Sequence, residues 1–90
     1  MNTTNTLVRS YNEEKLGQRI KYIREKMNFS RKEIGDLLQV SYQQIQKYET
    51  GKNRISAMSL KKMSMIFDIP VDTFFIDDHD YSQLVQTAIE

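Results

Sequence analysis

RKEIGDLLQVSYQQIQKYET, residues 31–50, reads as two short helices joined by a tight turn, and the rest of the chain is interpreted around it. Ile34, Leu38, Val40, Ile45 and Tyr48 form the inward set at helical spacing. Gly35 stands where the second helix must cross the first at close range. The outward side of the second helix is left to Tyr42, Gln43, Gln46 and Lys47. Glutamine and lysine on an exposed helix face carry the donors and acceptors needed to reach base edges in a major groove.

The starts of both helices are marked locally. Ser30 with Glu33 gives an S-x-x-E capping box and Ser41 with Gln44 an S-x-x-Q box, eleven residues apart, leaving only 39–41 for the turn. Upstream, Leu16, Ile20, Ile23 and Met27 recur on one face and predict a helix over 13–27, stopped at Asn28, which tolerates the left-handed conformation. Downstream, Gly51 suits a C-terminal cap, and Lys52, Asn53 and Arg54 form an exposed basic loop. A fourth helix is expected over 56–67, burying Leu60, Met63, Ile66 and Phe67. Pro70 then opens a short fifth helix with Val71, Phe74 and Phe75. The expected fold is all-α, a compact five-helix bundle over 12–76. Residues 1–11 read as a flexible arm and 77–90 as an acidic tail. In that tail Asp80 and Gln83 resemble a cap, and Tyr81, Leu84, Val85 and Ala88 follow the i, i+3, i+4, i+7 spacing of a short sixth helix.

Composition narrows the function classes. Ninety residues make one small domain with a modest core, for which a partner subunit would add stability. The chain has no cysteine, which excludes disulfides and thiolate metal sites. No long apolar run and no secretion-signal layout is present, so the expected location is cytoplasmic, without a membrane partner. The net charge of +1 hides a strong asymmetry. Residues 15–62 hold 12 Lys or Arg against 4 Asp or Glu, whereas residues 68–90 hold 6 acidic residues and no Lys or Arg. A basic body of this size fits a polyanion, with the acidic end facing away from phosphate or meeting another partner. The competing reading is an ordinary solvated surface.

Across LGQRIKYIREKMNFSRKEIGDLL, VSYQQIQKYETGKNRIS and SLKKMSMIFDIPVDTFF, the chain resembles the Cro and phage-repressor type of helix-turn-helix regulators, the XRE family. The resemblance covers residues 16–75. The small, turn and apolar positions fall at Gly35, Gln39 and Ile45, and an E-x-G ending follows at Glu49, Thr50 and Gly51. It implies a lambda-repressor-like five-helix fold that binds short palindromic operators on double-stranded DNA, usually as a homodimer, and that controls transcription, here as a repressor. Two departures stand out. Gln39 replaces a common glycine, at a cost of roughly 1 kcal/mol if its backbone is left-handed. Gly35 replaces the usual alanine, easing helix crossing at about 0.5–1 kcal/mol of helix propensity.

The resemblance also assigns roles. The base-contacting positions land on Tyr42, Gln43 and Lys47. Gln43 has the geometry to pair with adenine N6 and N7, Lys47 to donate to guanine O6 and N7, and Tyr42 to pack on a thymine methyl or donate to phosphate. Gln44 is expected on the phosphate side and Gln46 toward solvent. Backbone contacts are expected from Ser30 and Arg31 at the start of the second helix, from Ser41 and Gln44 at the start of the third, and from Lys52, Asn53 and Arg54 in the loop. The family places an ion pair at positions occupied here by Arg24 and Glu49, locking the first helix onto the third.

An enzyme is not expected. His79 is the only histidine, and Asp77, Asp78 and Asp80 lack a calcium-loop pattern, so no catalytic residue, metal site or cofactor is assigned. The stronger alternative is an antitoxin or transcriptional adaptor that uses the same fold mainly to bind a protein. The acidic tail is then a docking element, a homodimer interface or a segment folded back on the fifth helix.

Overall fold

Alternating capped helices and left-handed stops build the chain. The computed structural model describes Val8, Arg9 and residues 11–76; the sixth helix, His79, the Asp77, Asp78 and Asp80 cluster and the apolar stripe of the tail lie outside them, as does most of the N-terminal arm. Four α-helices follow one another: α1 (Glu13–Lys26), α2 (Arg31–Leu38), α3 (Tyr42–Glu49) and α4 (Ala57–Phe67), ending in a 3-10 helix, Val71–Phe75. Each α-helix has a side-chain N-cap, from Asn12, Ser30, Ser41 and Ser56 in turn. Each cap satisfies one of the backbone N–H groups that a helix start leaves without a partner.

The stops share one device. Asn28, Gln39 and Asp68 have φ of 62°, 62° and 56°, and Gly51 has 78°. Each turns the chain sharply after a helix, and the three non-glycine residues do so against the usual Cβ penalty. Asn28 and Gly51 fall where the sequence places a stop. Asp68 does not announce itself as one.

Two expectations change. The fifth helix is a single 3-10 segment, not an α-helix, so the described residues form four α-helices and not five. The segment closes through Thr73 N–H donating to Pro70 O at 3.0 Å, an i to i−3 bond that winds it more tightly than an α-helical turn. The second capping box is half formed. Ser41 Oγ accepts from Gln44 N–H at 3.1 Å, but Gln44 Oε1 accepts from Asn53 Nδ2 at 3.4 Å and does not turn back to Ser41. At Ser30 both arms of the box are made.

Ile20 and Ile23 of α1, Ile34 and Leu38 of α2, Ile45 of α3, Leu60, Met63 and Phe67 of α4, with Ile69 and Phe74, form one buried core. Phe29, Phe67 and Phe74 stack through it with tilted rings 5.8 and 6.3 Å apart. Ile66, expected inside, is half-buried, because the 100° step of the helix carries it to the edge of the apolar face. None of the described helices is long and apolar enough to cross a membrane.

Candidate nucleic-acid interface

The second helix of the pair is held by its inner face and left open on its outer one. Ile45 is fully buried, while Tyr42 is 53% exposed and Gln43, Gln46 and Lys47 are exposed as well. Three of these, Gln43, Gln46 and Lys47, line an open groove with Thr50 and Lys52. The structure thus brings Lys52 beside the two central expected base-reading side chains. Gln46, expected toward solvent, is exposed and lines the same groove.

What fixes the angle of α3 is a buried carboxylate. Glu49 Oε2 accepts from Arg24 Nε at 2.6 Å, and Glu49 Oε1 accepts from Arg24 Nη2 at 3.3 Å, while Arg24 Nη1 donates to Phe29 O at 2.9 Å. The Arg24 and Glu49 side chains are 9% and 1% exposed. At this depth the pair locks the end of α3 against α1, and each charge depends on the other for solvation. Arg31 adds a third group: its Nε donates to Glu49 Oε1 at 2.9 Å from a side chain 33% exposed. The sequence gives no local sign of this contact, since the two residues are eighteen positions apart.

Two glycines make close approaches. A Cβ on Gly17 would overlap the Tyr48 carbonyl oxygen and lie 2.6 Å from Glu49 O, so the end of α3 rests directly on the backbone of α1. A lone glycine inside an otherwise good helix pattern is the signal that sequence reading passed over. On Gly35 a Cβ would lie 2.6 Å from Val40 O. The close neighbour there is the carbonyl of the turn, not a crossing helix, and Val40 N–H donates to Gly35 O at 2.9 Å.

The remaining expected backbone-contacting residues divide. Ser30 and Ser41 sit exposed at the two helix starts with their hydroxyls serving as caps. Asn53 is tied to α3 through its N–H on Lys47 O at 3.2 Å and its amide on Gln44. Arg54 lies 3.4 Å from Glu13 at the start of α1, with its side chain 88% exposed. On the outer side of α2, Lys32 Nζ donates to Asp36 Oδ2 at 2.9 Å. That hydrogen bond, with the carboxylate charge behind it, holds the Lys32 pKa above its ordinary value.

An eight-residue helix, a left-handed turn residue and a second eight-residue helix with a polar, basic outer face define a helix-turn-helix unit on an all-α scaffold. The helix-turn-helix family pattern matches residues 20–74, and the chain belongs to that family, of the XRE type. It is 42% identical over 62 residues to an HTH-type transcriptional regulator of Sinorhizobium medicae, covering 69% of this chain and 45% of that protein. It is 40% identical over 62 residues to a transcriptional regulator in the ATPase CF(0) region of Rhodospirillum rubrum, covering 69% of this chain and 57% of that one. A Rickettsia prowazekii HTH-type regulator matches at 37% over 60 residues, 67% of this chain and 46% of that protein. The chain spans about half the length of the curated relatives it matches.

Proposed function

We propose that this chain is a sequence-specific, double-stranded-DNA-binding transcriptional regulator, a cytoplasmic repressor that binds short palindromic operators as a homodimer. The observation that carries the reading is the charge state of the α3 surface. Between residues 37 and 67 the only acidic residue is Glu49, and its side chain is buried under two arginines. The exposed surface of this stretch is therefore neutral or cationic throughout, with Lys47, Lys52 and Arg54 beside the amides of Gln43 and Gln46. Such a surface suits phosphate attraction together with base-edge hydrogen bonding.

In this reading α3 lies in the major groove. Gln43 reads adenine, Lys47 reads guanine, and Tyr42 packs on a thymine methyl or donates to a phosphate. Ser30 and Arg31 with the start of α2, Ser41 and Gln44, and the Lys52–Asn53–Arg54 loop set register on the phosphates. The relatives named as transcriptional regulators support the same role.

Selection of bound sequences from random duplexes at near-physiological salt tests it, because phosphate-only binding is weak there. Two enriched inverted half-sites about one helical turn, roughly 34–36 Å, apart are expected for a symmetric dimer. Salt-sensitive binding without any enriched motif would move the function to protein docking, as an antitoxin or adaptor.

A further inference from the structure

Glu49 is shared by two arginines whose situations differ. Arg24 already engages both carboxylate oxygens from a buried position. Arg31 adds a second guanidinium to a carboxylate whose charge is matched, so the cluster keeps one net positive charge. Arg31 is also the first residue of α2, where the helix dipole disfavours a cation. Fold stability therefore gives little reason for an arginine here. Its Nε is taken by Glu49, and among the described residues its two Nη groups have no partner, in a side chain one third exposed (33%).

We infer that Glu49 is a positioning residue for Arg31: it holds the guanidinium at the start of α2 with both Nη groups presented as a preset fork for one DNA phosphate. The inference rests on the DNA-binding reading above. A guanidinium fixed through Nε loses less side-chain freedom on binding and keeps two donors in a plane that matches a phosphate. Because Glu49 closes α3, the same carboxylate that seats the recognition helix also sets the phosphate clamp. The register of α3 in the groove and the anchoring of α2 on the backbone are thus fixed by one group. A lysine at position 31 has a single ammonium; drawn onto the buried Glu49 carboxylate, it leaves no donor for the phosphate and cannot form the planar fork.

The test compares wild type, Arg31→Lys and Arg31→Ala by fluorescence anisotropy on a labelled random-sequence duplex over a salt series, with thermal unfolding of each protein alongside. Both variants are expected to bind about tenfold more weakly at low salt, the factor for losing one charge-assisted contact. The slope of log K against log salt should shrink by about 0.9, the signature of one phosphate released. Arg31→Lys should unfold near the wild-type temperature, and in the free wild-type protein the Arg31 Nε–H should be protected from exchange. Retention of either wild-type affinity or wild-type slope by Arg31→Lys would show that any cation serves, and would overturn the positioning role; an unprotected Nε–H would do the same. If wild type binds no duplex even at low salt, the DNA-binding function falls and the clamp with it. If wild type binds and only the variants disagree, the clamp alone falls.

Discussion

Glu49→Gln isolates the contact that holds α3 in place. The substitution keeps the shape of the side chain and removes the charge. It leaves the Arg24 guanidinium, whose side chain is 9% exposed, facing a neutral amide, with the Phe29 carbonyl at 2.9 Å as its remaining fixed acceptor. Removing one partner of a buried pair costs about 3–5 kcal/mol. A domain of this size has about 0.05–0.15 kcal/mol per residue, roughly 4–14 kcal/mol in all, so the variant loses a large part of its stability. At about 4–8 °C per kcal/mol the melting temperature should fall by more than about 12 °C. Urea unfolding followed by far-UV circular dichroism measures the change directly. Arg31→Ala, acting on the same carboxylate from a one-third exposed side chain (33%), should cost below about 1 kcal/mol. The double variant Arg24→Met with Glu49→Leu should recover most of the loss, because a buried pair replaced by apolar groups is often near neutral. A Glu49→Gln protein within about 1 kcal/mol of wild type would refute the claim that this pair is buried and mutually dependent.

Gly17→Ala should destabilise by about 1–3 kcal/mol in the same urea assay, because its methyl meets backbone carbonyls of α3 that have no rotamer to change. Gly35→Ala should also destabilise despite a gain of about 0.5–1 kcal/mol in helix propensity, since Val40 O stands 2.6 Å from the new Cβ; a net gain in melting temperature would contradict that geometry. Gln39→Gly should stabilise by about 1 kcal/mol, as φ of 62° suits glycine; an unchanged urea midpoint would mean that the left-handed turn carries no strain. Gln43→Ala should lower discrimination at one base pair by about 1–3 kcal/mol, read by competition between the selected site and its single-base variants; equal losses on every sequence would place Gln43 on phosphate.

The parts of the fold legible in the sequence were those encoded locally. Ser30 with Glu33, the stop at Asn28, the glycine at 51 and the apolar spacing of Ile20, Ile23, Ile34 and Ile45 each act within one or two turns of chain, and the structure follows them. The alternation of caps and stops was enough to order the helices. The segment after Pro70 was harder, because apolar Val71, Phe74 and Phe75 at spacings of three and four fit one turn of a 3-10 helix as well as of an α-helix until its hydrogen bonds are seen. Asp68 gave no warning, since its left-handed conformation depends on where α4 must end against Ile69 and the core.

At the candidate interface, the exposed side of α3 could be read from helical periodicity alone, whereas the groove uniting Gln43, Gln46, Lys47, Thr50 and Lys52 depends on how the loop after Gly51 returns along the helix. The Asn53 bonds to Lys47 and Gln44 make that return, and no spacing rule anticipates them. Arg31 was legible as a cation at a helix start. Its contact with Glu49 was not, being a product of the packing of α2 against α3 across the turn.

The central claim is that the outer face of α3, with the start of α2, is the surface that meets DNA. Backbone amide chemical-shift mapping during titration with a duplex taken from the sequence selection tests it most directly. The account predicts that the largest shifts cluster at residues 30–31 and 41–54, while the outer side of α4 around Met58 and Met65 stays unmoved. Shifts concentrated on α4, or an absence of shifts at Gln43 and Lys47 on saturation, would contradict it.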